Sequence, residues 1–311
     1  MANTDYQLII LGGGPAGLTA GLYAARDRLQ VLLVEKGVVG GQVLVTDWID
    51  NYPGFPEGLS GSDLIEKMAA QAFRFGLETK NANVVRLELA DREKKLILES
   101  GEELSCRSLI IATGARPNKL GVPGEEKFTG RGVSYCATCD GPFFRNQEII
   151  VVGGGDTAIQ EADFLTKFAS KVTVVHRRDA LRATKVLQEK AFANKKVEFL
   201  WNSSVIAIEG EKEVEQVRIR NNDGGEREIG VTGIFILIGT IPNNEMLPLE
   251  QLGGDEQGFI ITDHEMCTRI PGVMAAGDIR SKAVRQVVNA AGEGAVAAIS
   301  AEHYLSSLEQ E

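Results

Sequence analysis

The stretch Leu8-Ile9-Ile10-Leu11-Gly12-Gly13-Gly14-Pro15-Ala16-Gly17 decides the fold, and Ile149-Ile150-Val151-Val152-Gly153-Gly154-Gly155-Asp156-Thr157-Ala158 repeats its plan. In both, a short apolar run of the kind buried in parallel sheets breaks into glycines. A helical pattern follows each time, Pro15 to Arg26 and then Thr157 to Phe168. Glycines at such a turn let the backbone approach a pyrophosphate, and the amides and dipole of the helix start face it. One cluster of this kind is also compatible with an ordinary turn. Two of them, each leading into a second apolar strand at Gln30 to Glu35 and Lys171 to His176, predict two Rossmann-like units that each bind a dinucleotide. The fold class is α/β. Gly12, Gly14, Pro15, Ala16 and Gly17 are the candidate contacts to the first nucleotide, and Gly153, Gly155, Asp156, Thr157 and Ala158 to the second.

The ends of the second strands distinguish the two ligands. Glu35 and His176 occupy the same place relative to Gly12 and Gly153. A carboxylate there accepts hydrogen bonds from an unsubstituted ribose, which suits FAD or NAD and repels a 2′-phosphate. The second unit lacks it and carries His176-Arg177-Arg178, with Arg182 a helical turn further on. Guanidinium groups so placed can clamp a phosphate bidentately, which points to NADPH over NADH. The other meaning of that cluster is a solvated basic edge.

The 311 residues, 43% of them apolar and 35 of them glycine, suffice for two cores. A formal charge of −10 argues against nucleic acid as a partner. No run is long enough to span a membrane, and the first strand begins so close to Met1 that no signal peptide is expected, so the sequence reads as cytoplasmic.

Two strand-to-hinge stretches resemble one another: Leu109-Ile110-Ile111-Ala112 running into Thr113 to Asn118, and Phe235-Ile236-Leu237-Ile238 running into Gly239 to Asn243. After them come a strand, Val273 to Ala276, Gly277-Asp278, and an alanine-rich helix ending near Leu305. A strand and a helix cannot form a core alone, so this tail is expected to return to the first domain. The expected organisation is 1–117 and 245–311 as one dinucleotide-binding domain, with 118–244 inserted as the second. Residues 81–108 read as antiparallel strands decorating the first domain.

Redox chemistry centres on Cys136-Ala137-Thr138-Cys139-Asp140. Cysteines at this spacing close a small disulfide, and a nearby helix start lowers a thiolate pKa. No metal is expected, because Cys106, Cys267 and the three histidines do not complete a zinc set. Asp140 suits proton transfer to and from a thiolate, the reading favoured here, and capping of the following turn is its other, compatible role.

With these residues in place, the chain resembles the bacterial-type, low-molecular-weight NADPH-dependent thioredoxin reductases along essentially its whole length. The matching stretches are Gly12 to Gly17, Gly40-Gly41-Gln42, Asn51 to Phe55, Ala112-Thr113-Gly114, Cys136 to Gly141, Gly153 to Ala158, His176 to Arg182, and Gly277-Asp278 followed by Arg285-Gln286. The resemblance implies FAD against Gly41, Gln42, Asn51, Thr113, Gly114 and Gly277 as well as the first glycine motif and Glu35. It also implies that Asp278 bonds the ribityl chain and that Arg285, Gln286 and Val287 lie near the flavin. By the same resemblance, Cys139 faces the flavin and Cys136 attacks oxidised thioredoxin, within a homodimer whose inserted domain rotates about hinges near Pro117 and Pro242. Pro142 stands where some relatives carry an aromatic residue, leaving Phe143 and Phe144 either as a docking wall or as core, and Thr157 stands where serine is common. Flavoproteins of the same fold that use ferredoxin or oxygen, and an FAD-holding redox sensor, are the alternatives.

Overall fold

The computed structural model describes residues 4–46, 48–90 and 92–310. The chain forms two compact units, one running to Arg116 and resuming at Ile241, the other spanning Pro117–Thr240. The second is an insertion into the first.

In the first unit the strand Tyr6–Leu11 lies between Val31–Glu35 and Glu103–Ile111, parallel to both. Its side chains alternate between two cores. Leu8 and Ile10 join Leu18, Leu33 and Ala297 on one face, and Ile9 and Leu11 join Leu96, Leu109 and Ile111 on the other. A strand covered on both faces must be apolar throughout, which is why the opening stretch shows no alternation.

The antiparallel strands Val84–Leu89 and Lys94–Leu98 lead into Glu103–Ile111. This last strand is more than decoration. Its first half pairs with Lys94–Leu98 and its second half with Val273–Ala275, so the hairpin runs directly into the parallel sheet. Its burial alternates through Arg107 and is unbroken from Ser108, marking the change from one covered face to two. Val273–Ala275 and the helix Val287–Glu309 thus bring the tail back to this sheet, the helix running past Leu305.

In the second unit, parallel strands lie in the order Val197–Leu200, Lys171–Val175, Glu148–Val152, Gly233–Ile236, Val133–Ser134. A three-stranded antiparallel sheet, Ser203–Glu209, Gln216–Asn221 and Glu226–Gly230, completes it. The helix after the second glycine turn spans Asp156–Leu165 and stops short of Phe168 because the last amides bond three residues back, Lys167 to Phe164 and Phe168 to Leu165. The chain passes between units through the short strands Ala115–Pro117 and Thr240–Pro242. Each crossing is tied within its own unit, Asn243 N–H to the Gly114 carbonyl (3.0 Å) and Asn118 N–H to the Gly239 carbonyl (2.9 Å). Among the described residues, no helix is long and apolar enough to cross a membrane.

The helices Pro15–Arg26 and Val287–Glu309 touch at Gly294, where an added Cβ would land on the Ala16 carbonyl oxygen, whereas a Cβ at Gly292 would meet nothing. Gly294→Ala is therefore expected to destabilise the protein by about 1–3 kcal/mol or more, and Gly292→Ala to be neutral or stabilising by up to about 1 kcal/mol. Denaturant unfolding of the two variants checks the contrast.

Candidate active site

The parallel strands of the first unit all end at one sheet edge, the edge at which such folds bind ligands. Gly12 has a φ of +109°, and a side chain there would strike the Ala112 carbonyl. Gly17 similarly touches the Gly12 carbonyl, bringing the helix Pro15–Arg26, with Pro15 and Ala16 in its first turn, close against the strand. Gly14 faces open space. Glu35 ends the second strand with both oxygens engaged, one accepting the Gly13 N–H (2.7 Å) and the other the Gly37 N–H (3.1 Å). Gly41 and the exposed Gln42 open a short turn, tied to the glycine motif by Gly40 N–H donating to the Gly13 carbonyl (2.8 Å).

The more distant candidates arrive at this edge as well. Asn51 Nδ2 donates to Gln286 Oε1 (3.2 Å), and Gln286 is the residue that opens the long helix beginning at Val287. Thr113 and Gly114 follow the end of Glu103–Ile111, and Gly277 and Asp278 follow the end of Val273–Ala275. Arg285 lies over Phe259, its guanidinium carbon 4.3 Å from the ring centroid, and donates to the Lys282 and Arg280 carbonyls. Burial pushes the Asp278 carboxyl up, and the neighbouring Lys282 and Arg285 oppose that. Thr113 Oγ1, Asp278 Oδ1 and Arg285 Nε are buried without a hydrogen-bond partner, save that Lys282 Nζ lies 3.3 Å from Asp278 Oδ1. Orphaned polar atoms around an open glycine turn suit a polar, nucleotide-sized ligand.

The second unit repeats the turn with one difference. Gly155 faces open space, while a Cβ at Gly154 would strike the imidazole of His176. His176 is 5% exposed, with Nε2 3.1 Å from the Ala180 carbonyl oxygen, and burial lowers its pKa. It packs beneath the glycine turn, apart from the solvent-facing arginines. Arg177, Arg178 and Arg182 are exposed, and the loop carrying them is fastened by Arg182 N–H donating to the Gly154 carbonyl (2.8 Å). Asp156, ahead of Thr157 and Ala158 in the first helical turn, accepts the Thr184 N–H (2.6 Å).

Cys136 and Cys139 form a disulfide, their Cα atoms 5.3 Å apart. Cys136 caps the short helix Ala137–Asp140, its sulfur accepting the Cys139 N–H (3.2 Å), and both cysteines and Asp140 are half-buried. Ser134 holds Cys136 through the Cys136 N–H (3.1 Å) and carbonyl (3.3 Å). Two carboxylates with no motif of their own flank this loop. Glu161 accepts the Ala137 N–H (3.2 Å) and is raised by burial. Glu125, 1% exposed, accepts the Tyr135 hydroxyl (2.9 Å) and the Leu120 and Gly121 amides, and burial together with Glu125 pushes the Tyr135 phenol up. The two phenylalanines divide: Phe144 packs edge-on to Phe235 with ring centroids 5.2 Å apart, while Phe143 is exposed.

Thioredoxin reductases of Peptoclostridium acidaminophilum and Bacillus subtilis (strain 168) are 48% and 46% identical over 309 and 308 residues, covering 97% and 98% of this chain and 98% and 96% of theirs. The pyridine nucleotide-disulphide oxidoreductase family matches residues 6–294. The chain belongs to this family, in its thioredoxin reductase branch. The crystal structure of thioredoxin reductase from Streptococcus pyogenes MGAS5005, 47% identical, superimposes with a TM-score of 0.93 over 97% of this chain and 98% of that one. That of Lactococcus lactis in an FR conformation, 46% identical, gives 0.65 over 97% and 100%. The Cys136–Cys139 pair fits the redox-active disulfide of a thioredoxin reductase.

The remaining cysteines differ in reach. Cys106 is fully buried and pushed up to about 12 by burial, and Cys267 is half-buried and raised by burial. Alkylation of the native oxidised protein is expected to modify Cys267 slowly and leave Cys106 untouched, with two further adducts, at Cys136 and Cys139, only after reduction. Peptide mass spectrometry reads this directly.

Proposed function

We propose that this chain is an NADPH-dependent thioredoxin-disulfide reductase, with FAD at the strand edge of the first unit and NADPH at the arginine-bearing turn of the second. The Cys136–Cys139 disulfide carries the assignment, since it sits at a helix start in the same unit as that turn. Bound together, the two nucleotides supply the electron pair that opens this disulfide. Gly12, Gly14, Gly17, Gly41, Thr113, Gly114 and Gly277 give a flavin nucleotide backbone access, and Glu35, Asn51, Asp278, Arg285 and Gln286 give it polar contacts. Arg177, Arg178 and Arg182 recognise the 2′-phosphate.

The reduced pair then performs exchange. Cys136, favoured as a thiolate by the Cys139 N–H and the helix start, attacks the thioredoxin disulfide and joins one sulfur as the other leaves with a proton. Cys139 next attacks the Cys136 sulfur, restoring the internal disulfide and releasing the second thioredoxin thiol. Asp140, adjoining Cys139, takes and returns the proton that these steps need. Phe143, which is exposed, is proposed to form part of the surface on which thioredoxin docks.

We further propose that turnover includes rotation of the inserted unit about the crossings at Ala115–Pro117 and Thr240–Pro242. The Streptococcus pyogenes and Lactococcus lactis structures are alike in identity yet superimpose at 0.93 and 0.65, a gap that supports rearrangement of two rigid units within the branch. The enzyme is proposed to act in the cytoplasm as a homodimer.

Anaerobic reduction of a thioredoxin disulfide should proceed with NADPH and poorly with NADH. Arg177→Ala combined with Arg178→Ala is expected to raise the KM for NADPH by about 10–100-fold and leave NADH nearly unchanged. Reduction by neither nucleotide would redirect the assignment to ferredoxin or oxygen. Cys139→Ser should abolish turnover while both nucleotides still bind, as equilibrium dialysis would register; retained turnover would refute the dithiol route.

A further inference from the structure

Asp278, offered above to the flavin, stands in a set of charges that the proposed function does not use. Glu293 reaches in from the helix Val287–Glu309, its Oε2 accepting the Gly277 N–H (2.7 Å) and its Oε1 lying 2.8 Å from Arg280 Nη1. Lys282 Nζ lies 3.2 and 3.1 Å from the two Glu293 oxygens and 3.3 Å from Asp278 Oδ1. Arg280 is held in turn by Nε donating to Thr262 Oγ1 (2.7 Å). The side chains of Arg280 and Glu293 are 13% exposed and that of Lys282 11%.

Stability alone does not account for this arrangement. Burying ions costs desolvation that their mutual attraction often fails to recover, and apolar packing of similar volume commonly does as well or better. The geometry instead serves Asp278. Glu293 clamps Gly277, whose φ of +80° turns the chain immediately before Asp278, and the same carboxylate fixes the ammonium beside Asp278 Oδ1. Only an ionised, oriented carboxylate offers all its oxygen lone pairs to hydroxyl donors.

We propose that Lys282 and Glu293 are positioning residues for the polyhydroxyl chain of the flavin nucleotide: Glu293 locks the Gly277 turn and the Lys282 ammonium, and Lys282 holds Asp278 as an oriented acceptor. This rests on FAD occupying the first unit. Asp278 is desolvated and raised, and the charged groups acting on it are Lys282 and Arg285, which lower it, and Glu293, which raises it. Without Lys282, Asp278 takes up a proton at higher pH and loses acceptor capacity as pH falls.

The test is equilibrium titration of apoprotein with FAD, followed by flavin fluorescence from about pH 5.5 to about pH 8.5, with circular dichroism confirming folding. K282Q and E293Q are expected to bind FAD about tenfold or more weakly at neutral pH. K282Q should weaken more steeply than wild type and K282R as pH falls. D278N should bind weakly at every pH. Wild-type affinity and the wild-type pH profile in K282Q and E293Q, beside a weakened D278N, would overturn the positioning role and leave the cofactor assignment standing. Wild-type protein that takes up no FAD would overturn both. If K282Q does not fold, E293Q against K282R decides: equal, wild-type affinity in the two refutes the proposal, and loss confined to E293Q supports it.

Discussion

Close approach of backbone to backbone is the constraint on which the first unit depends. The strand Tyr6–Leu11, the helix Pro15–Arg26 and the helix Val287–Glu309 meet at Gly12, Gly17 and Gly294, each of which would drive a Cβ into a carbonyl oxygen. Because the helices sit this tightly, the first helical amides stand at the edge where the parallel strands end. The same contacts carry the tail back to the first sheet, so one packing condition serves both the fold and the ligand edge.

The two glycine turns share a plan and differ in what lies beneath. In the first, Glu35 closes against the turn itself through the Gly13 and Gly37 amides, which orders the carboxylate before any ligand arrives. In the second, a buried imidazole fills the equivalent space and leaves the charge to three arginines in solvent. Arginine in solvent keeps its full charge and a mobile fork, which suits capture of a phosphate from bulk water. The buried ring of His176 props the turn, and burial lowers its pKa.

The dithiol loop is held by partners on three sides: Ser134 on the backbone of Cys136, Glu161 on the amide of Ala137, and Glu125 on the hydroxyl of Tyr135. Each bond fixes a backbone or flanking group. A short helix of only four residues would fray alone. Fastening at both flanks keeps the Cys139 N–H aimed at the Cys136 sulfur.

The sequence by itself determined the glycine turns, the strands before and after them, the Cys-x-x-Cys pair and the arginine cluster, because each is local: a few adjacent residues at a fixed spacing. It also pointed to the returning tail, since Val273–Ala275 and its helix had too little apolar surface to stand alone. Tertiary structure alone decided that Glu103–Ile111 is a single strand shared by a hairpin and a parallel sheet, that His176 turns inward, and that Phe143 and Phe144 part company. It alone also brought Asn51 to Gln286, Glu161 to Ala137, Glu125 to Tyr135 and Glu293 to Gly277. A lone Glu in a helix reads as a solvated face until packing removes its water, and burial then requires that partners be found across the fold, where spacing along the chain carries no signal.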